Sequence, residues 1–447
     1  MKRTLFFLTG LVFIASNLFA QNDSVPADET VKTGFSLGGV PVVAYNTDTG
    51  FKYGGLVNFY WYGDGSNYPN YDHSLYMEWS RTTKGSGINQ ITYDTRTLIP
   101  NMRMQIDARY LTEQALDFYG FNGYNAYYNG NFSNDSHPDY ISRMFYRHER
   151  KMVRLKADFE GNTGVENLRW LAGFAHHRVN IGSVDLETLN EGQDPENMLP
   201  DTATLYDRYR KWGIIKEDQA EGGIVSSLKL GAVYDTRDNE ANPNHGLWSE
   251  ALLINAPEFL GNDYAYTKFM LTHRQYFTVV PGRLTFAYRL SWQTKIAGEI
   301  PFYMLPFIIE SKNTEDGLGG SKNLRGVYRN RLQGDGVAYG NMEFRWKFFK
   351  TVFLNQNIYL GLNTFLDAGM VTNKYNFKPS GVTAGYGNSL QENRDMIEYE
   401  DEGLHPSYGA GFRFVLNNNF IVAFEYGRAF NIAKDGSGFY IGLNYVF

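Results

Sequence analysis

The sequence predicts an all-β fold, a 16-stranded antiparallel transmembrane β-barrel, and three observations lead to it. Sixteen segments between Phe35 and Phe447 alternate apolar with polar residues at a period of two. A strand shows this pattern when one side faces lipid and the other faces water. The connections between the segments alternate short and long, as they do when every second turn is a tight hairpin on the same side of a membrane. The composition is rich in Tyr (33), Phe (32) and Gly (46), whereas a soluble enzyme of this length carries more Leu, Ala and Val. No stretch beyond residue 20 approaches the roughly 18 continuous apolar residues of a membrane helix, so any crossing is made by strands.

In chain order, Met1–Ala20 reads as a secretory signal. Lys2 and Arg3 form its charged end, residues 5–15 its apolar core, and Ala20 the small residue before a cut at Gln21. An exported chain without cysteine does not rely on disulfides. Residues 21–34 are polar, contain Pro26, and are too few to fold alone; they read as a short periplasmic arm. The formal charge of −6 becomes more negative once Lys2 and Arg3 are removed, which argues against nucleic acid as a partner.

The barrel is predicted over residues 35–447. Its strands are expected at 35–45, 50–62, 72–81, 86–98, 101–111, 143–159, 167–179, 223–234, 246–256, 263–279, 284–297, 337–348, 357–369, 407–416, 420–429 and 438–447. In the fifth, Met102, Met104, Ile106, Ala108 and Tyr110 alternate with Arg103, Gln105, Asp107 and Arg109; a water-filled lumen explains so polar an inner side. Residues 112–142, 181–222 and 298–334 read as long outer loops, while Ile99-Pro100, Pro281-Gly282 and Asn417-Asn418-Asn419 are tight turns at the other end. An even strand number places both termini in the periplasm. The last strand is expected to run to the aromatic terminus, with Phe439, Ile441, Leu443, Tyr445 and Phe447 on one face.

The chemistry concentrates in residues 319–347. A glycine-rich stretch carries Leu324-Arg325-Gly326-Val327-Tyr328 and leads into a strand. There Val337, Tyr339, Asn341, Glu343, Arg345 and Lys347 fall on one face, and Ala338, Gly340, Met342, Phe344, Trp346 and Phe348 on the other. Asp367 lies on the inward face of the next strand. If the loop folds back into the lumen, the forked guanidinium of Arg325 can take both Glu343 and Asp367. Gly317, Gly319, Gly320 and Gly326 would let its backbone approach closely. The alternative is three solvated charges in a wet channel, worth little.

The same residues resemble the BamA/TamA-type outer-membrane assembly barrels, the bacterial surface antigen family. Its loop motif is an aliphatic residue, Arg, Gly and an aromatic; here Val327 precedes Tyr328, so either takes the aromatic place. Tyr234-Asp235-Thr236-Arg237-Asp238-Asn239, with Pro243 and Gly246, resembles the family's periplasmic turn. Gly340-Asn341-Met342-Glu343 and Phe365-Leu366-Asp367-Ala368-Gly369 resemble two of its strands. The resemblance implies an integral protein of the bacterial outer membrane, in contact with lipid and lipopolysaccharide. It implies a loop anchor made by Arg325, Gly326, Tyr328, Glu343 and Asp367, with Asp235, Arg237 and Asp238 in a structural turn.

The family inserts or exports proteins. The implied route is a weak seam between the first and last strands, where Gly38, Gly39 and Pro41 make a poor ladder partner and where Phe447 resembles a sorting signal of outer-membrane barrels. Family insertases carry periplasmic receptor (POTRA) domains before the barrel. With only the arm at that place, the expectation is a member without them, served by a partner that supplies them. The alternative is a passive pore. No catalysis, cofactor or metal is expected. There is no Gly-x-Ser-x-Gly elbow, no Lys-Ser/Thr pair follows residues 317–320, and neighbouring His176 and His177 point to opposite faces of a strand. The basic run 143–156 reads as a lumenal or lipopolysaccharide-facing strand.

Overall fold

The computed structural model describes residues 31–46, 50–443 and 445–447; the expected leader and most of the arm lie outside them. Sixteen strands form one antiparallel sheet in chain order. They are β1 (Phe35–Asn46), β2 (Gly50–Trp61), β3 (His73–Thr82), β4 (Gly87–Ile99), β5 (Met102–Asp117), β6 (Arg147–Asn162), β7 (Leu168–Gly182), β8 (Gly222–Asp235), β9 (Gly246–Ala256), β10 (Tyr266–Val280) and β11 (Leu284–Gly298). After the short pair β12 (Phe307–Ile309) and β13 (Thr314–Asp316) come β14 (Gly336–Phe353), β15 (Gln356–Asn373), β16 (His405–Leu416), β17 (Phe420–Ala429) and β18 (Ser437–Leu443). Among the described residues no helix is long and apolar enough to cross a membrane. This is the 16-stranded barrel that the alternation predicts.

The two faces separate as the period of two requires. Met342, Phe344 and Phe348 of β14 are exposed, and Val337, Tyr339, Asn341, Glu343, Arg345 and Lys347 are buried inside. On β5, Ile106 and Tyr110 face outward while Arg103 and Asp107 are buried. Trp61, Trp79, Trp170 and Trp292 belong to the exposed outer belt, the placement expected of aromatics against lipid. At the loop end, Phe118, Phe121, Tyr206, Tyr209, Phe302 and Tyr375 share one buried core, so the long connections cap the barrel instead of trailing from it.

Several boundaries differ from the sequence reading, each for a local reason. β14 and β15 run on to a two-residue hairpin, Leu354-Asn355, both at positive φ (48° and 58°), the backbone that matches strand twist. A bulge between Lys347 and Phe349 breaks the alternation there, which hides the extension. β5 continues to Asp117 across an irregularity between Glu113 and Leu116, and β6 starts at Arg147. The last strand stops at Leu443, not Phe447. Tyr445 and Phe447, which alternation places on the lipid side, are buried among lumenal arginines and tyrosines.

The lumen also differs from the wet channel expected. Residues 299–335 fold into it, with β12 and β13 as a hairpin whose polar backbone is met by the wall. Lys229 Nζ donates to the Ser311 carbonyl (2.7 Å), Arg154 Nη1 to that of Thr314 (3.0 Å), and Gln293 Nε2 to that of Phe307 (3.1 Å). The inward charges that suggested water are partners for a buried loop.

Candidate functional site: the lumenal loop and the seam

Arg325 sits on three walls of the barrel at once. Its Nε and Nη2 donate to the two oxygens of Asp367 (2.9 and 3.0 Å), and its backbone N–H donates to Asp367 Oδ2 (3.1 Å). Nη1 donates to Glu343 and, at 2.6 Å, to Glu425 Oε1. The guanidinium stacks over the Phe365 ring, 3.6 Å from its centroid. Arg325, Glu343 and Asp367 are all 0% exposed. A cation this dry is tolerated only when its donors are matched by acceptors, and a planar fork between carboxylates is the geometry that does so.

The strands explain why the acids converge. Asn341 pairs with Asp367 and Glu343 with Phe365, so Glu343 and Asp367 are diagonal neighbours on one face. Glu425 reaches the same point from β17 by the same alternation; Arg413 of β16 also donates to it, at 2.7 Å. Sequence reasoning missed Glu425, although its inward position follows from the rule that placed Glu343. It also missed Phe365 and the Tyr440 hydroxyl, which accepts the Gly326 N–H at 2.9 Å.

Gly326 has φ +88°, and a Cβ on it would stand 2.5 Å from the Arg428 nitrogen. The loop backbone thus lies directly on β17, which only a glycine allows. Val327 is buried with Leu318, Leu324, Leu332 and Val337. Tyr328 turns the other way, its N–H on the Asp435 carbonyl (2.7 Å) and its ring stacked on Tyr119. The aromatic of the motif therefore joins the loop-end core.

The turn after β8 is built by its own side chains. Arg237 Nε donates to Asp235 Oδ1 (2.9 Å), and Asp238 Oδ1 accepts the Asn244 and His245 N–H groups. Arg237 lies over the Trp248 ring at 4.4 Å. The tip of the lumenal loop comes down to this turn, where Lys312 pairs with Glu240. Of the basic run, Arg150, Arg154 and Lys156 point inward to Glu113, Asp107 and Asp158. His177 lies against Phe307 inside, and His176 bonds Ser226 on the other face.

At the seam, β1 pairs only with β2 and β18 only with β17; no ladder joins β1 to β18 among the described residues. Gly38 is buried where a Cβ would stand 2.5 Å from Phe420 Cδ2 of β17, and the Tyr60 hydroxyl donates to the Asn419 carbonyl (3.1 Å). Gly39 and Pro41 lie exposed on β1. Among the described residues the two ends of the sheet thus meet through the side chains of Phe420 and Tyr60, with no backbone ladder between them.

A barrel with an inward loop held by Arg325 is matched by a family model: the Omp85 superfamily domain covers residues 107–447. The chain belongs to the Omp85 superfamily. It is an outer-membrane barrel protein, as the resemblance implied. Among solved structures, CdiB from Escherichia coli aligns with TM-score 0.51 at 10% identity, over 92% of this chain and 62% of that one. BamA from Haemophilus ducreyi lacking POTRA domains 1-3 gives 0.49 at 14%, over 92% and 69%. CdiB from Acinetobacter baumannii gives 0.44 at 14%, over 93% and 60%. The Omp85 chain thus spans under two thirds of either CdiB, and at these identities the likeness concerns the fold alone. A comparison with curated proteins finds no match.

Proposed function

We propose that this Omp85 chain works in, or as an accessory to, the insertion or translocation of outer-membrane proteins, and that a client strand adds at the seam. The observation that carries the reading is that no ladder joins the edges of β1 and β18 among the described residues. An unpaired strand edge is costly in lipid and is a template for another strand. Pro41 offers no N–H there, and the inward loop, pinned to β14, β15 and β17, holds the rest of the wall in register while the edge is free. The reading includes no catalysis by this chain. Its partners are lipid, lipopolysaccharide and a companion supplying periplasmic receptor domains, to be sought by co-purification from the membrane.

A disulfide tests the seam. The chain has no cysteine, and a Cβ at position 38 lies 3.1 Å from that of Phe420, close to the span that a disulfide bridges. In cells whose only copy carries Gly38→Cys with Phe420→Cys, oxidation should lower the amount of folded outer-membrane barrels, and reductant should restore it. Unchanged barrel levels with the bridge fully formed would defeat the reading.

A further inference from the structure

At the loop end, several connections converge on one imidazole. His405 opens β16 and is 0% exposed, as is Asp435 in the connection 430–436. The ring's Nδ1 lies 2.7 Å from Asp435 Oδ1, and its Nε2 lies 3.4 Å from Oε2 of Glu402, which closes the connection 374–404. Tyr124, from the connection 118–146, stacks on the imidazole with ring centroids 3.8 Å apart. The same tyrosine links the two acids: its hydroxyl donates to Asp435 Oδ2 (2.6 Å) and its N–H to Glu402 Oε2 (2.8 Å). The Val371 N–H of β15 donates to Glu402 Oε1 (2.9 Å). From the lumenal loop, Arg331 comes within 3.9 Å of Asp435 Oδ1, but its hydrogen bonds go to the carbonyls of Lys434, Gly123 and Ala126. Lys434 pairs with Glu400 and lies 5.2 Å from the Tyr124 ring centroid.

This geometry sets the protonation state of the ring. Glu402 receives two backbone N–H groups and Asp435 a hydroxyl, so both acids act as acceptors. An imidazole whose two nitrogens both face acceptors can donate to both only as the imidazolium. A neutral His405 would keep one bond and turn a bare lone pair on the other carboxylate, at a ring that is wholly buried, where an unmet polar contact is costly. The cost falls on a mechanical joint. The Ala429 N–H donates to the Gly436 carbonyl (3.1 Å), and β18 begins at the next residue, Ser437. The connection that His405 holds is therefore the outer support of β18, the last strand of the sheet.

We propose that His405 is a proton-operated latch of the outer cap: as the imidazolium it clamps the connection 430–436, through Asp435 and Glu402, to the connections 118–146 and 374–404, and loss of one proton to the medium releases that connection and with it the outer end of β18. The clamp is complete at acid pH, below the roughly 6.5 at which a free imidazole titrates. It weakens as rising pH removes the second proton, the sign that linkage gives for a cation favoured in the folded form. Arg331 keeps its charge throughout, but it is committed to backbone carbonyls and does not replace the imidazolium. The latch does not depend on clients adding at the seam.

The test puts spin labels at Ile432→Cys and Asp401→Cys, both exposed positions, in the purified full chain, which has no cysteine of its own. The distance between the labels, read by pulsed dipolar spectroscopy, should be single at about pH 5.5, and the released fraction should rise at least about fivefold by about pH 8.5, a range that spans imidazole titration. His405→Phe keeps a ring against Tyr124 and removes both donors, so it should be released at both pH values. Asp435→Asn is the opposite case. Its amide can donate to a neutral Nδ1 while still accepting the Tyr124 hydroxyl, and the Nε2–H still reaches Glu402, so this variant should stay closed at both. A parent distance that ignores pH, a pH response that survives in His405→Phe, or an Asp435→Asn chain that opens as the parent does would each overturn the proposal. If His405→Phe does not fold, the parent and Asp435→Asn decide between them. The latch is read on purified protein and the seam lock in cells, so each reading can fail alone.

Discussion

Gly38 of β1 lies under the ring of Phe420 of β17, with no room for a side chain between them. The contact crosses the seam, so substitution there acts where no backbone ladder joins β1 to β18 among the described residues. Gly38→Val is expected to destabilise the folded form by about 1–3 kcal/mol through overpacking, seen as a lower temperature of gel-mobility shift. Adding Phe420→Ala should recover most of the loss; failure to recover would mean that the two residues do not meet.

The second close approach pins the loop. Gly326 and Gly427 face each other, and a Cβ on Gly427 would stand 2.6 Å from the Gly326 nitrogen. Gly326→Ala adds backbone strain of about 1–3 kcal/mol at its positive φ. Because both alanines would push apart the same surfaces, the double variant should cost clearly less than the sum of the singles. Additive urea midpoints would contradict this contact.

The three acids are not equivalent. Asp367 accepts three hydrogen bonds from Arg325, while Glu425 accepts one from Arg325 and shares Arg413 and Asn363. Asp367→Asn should therefore destabilise more than Glu425→Gln, with the larger loss near the roughly 3–5 kcal/mol of a broken buried pair. The reverse order in denaturant midpoints would show that the anchor is centred elsewhere.

A lumen filled by residues 299–335 should conduct poorly. In planar bilayers the intact chain is expected to give little steady current, and deleting residues 307–316, the lumenal hairpin, should raise conductance several-fold. Large steady currents from the intact chain would favour the passive-pore alternative.

Much of this was legible in the sequence because the period of two is a strict signal. It placed the sixteen strands, the inward faces of Glu343 and Asp367, and the inner charges of β5. It failed where one residue breaks the count, as at the bulge near Phe349. It failed again where a contact depends on the third dimension. Glu425 lies 100 residues from Arg325, and nothing local joins them. The inner charges suggest water in the sequence, since alternation shows only that a face is polar, not what fills it. The inward tail was illegible for a similar reason: Tyr445 and Phe447 continue a perfect strand pattern, and the arginines that bond the tail, Arg289 and Arg345, come from other strands.

The most direct measurement of the loop anchor is the urea unfolding of Arg325→Ala beside Arg325→Lys in the same detergent. Removing the guanidinium leaves Glu343, Asp367 and Glu425 buried together. The alanine variant should lose about 3–5 kcal/mol, and lysine, which has no fork, should recover only part. A midpoint for the alanine variant equal to that of the unaltered protein would contradict the anchor and the account built on it.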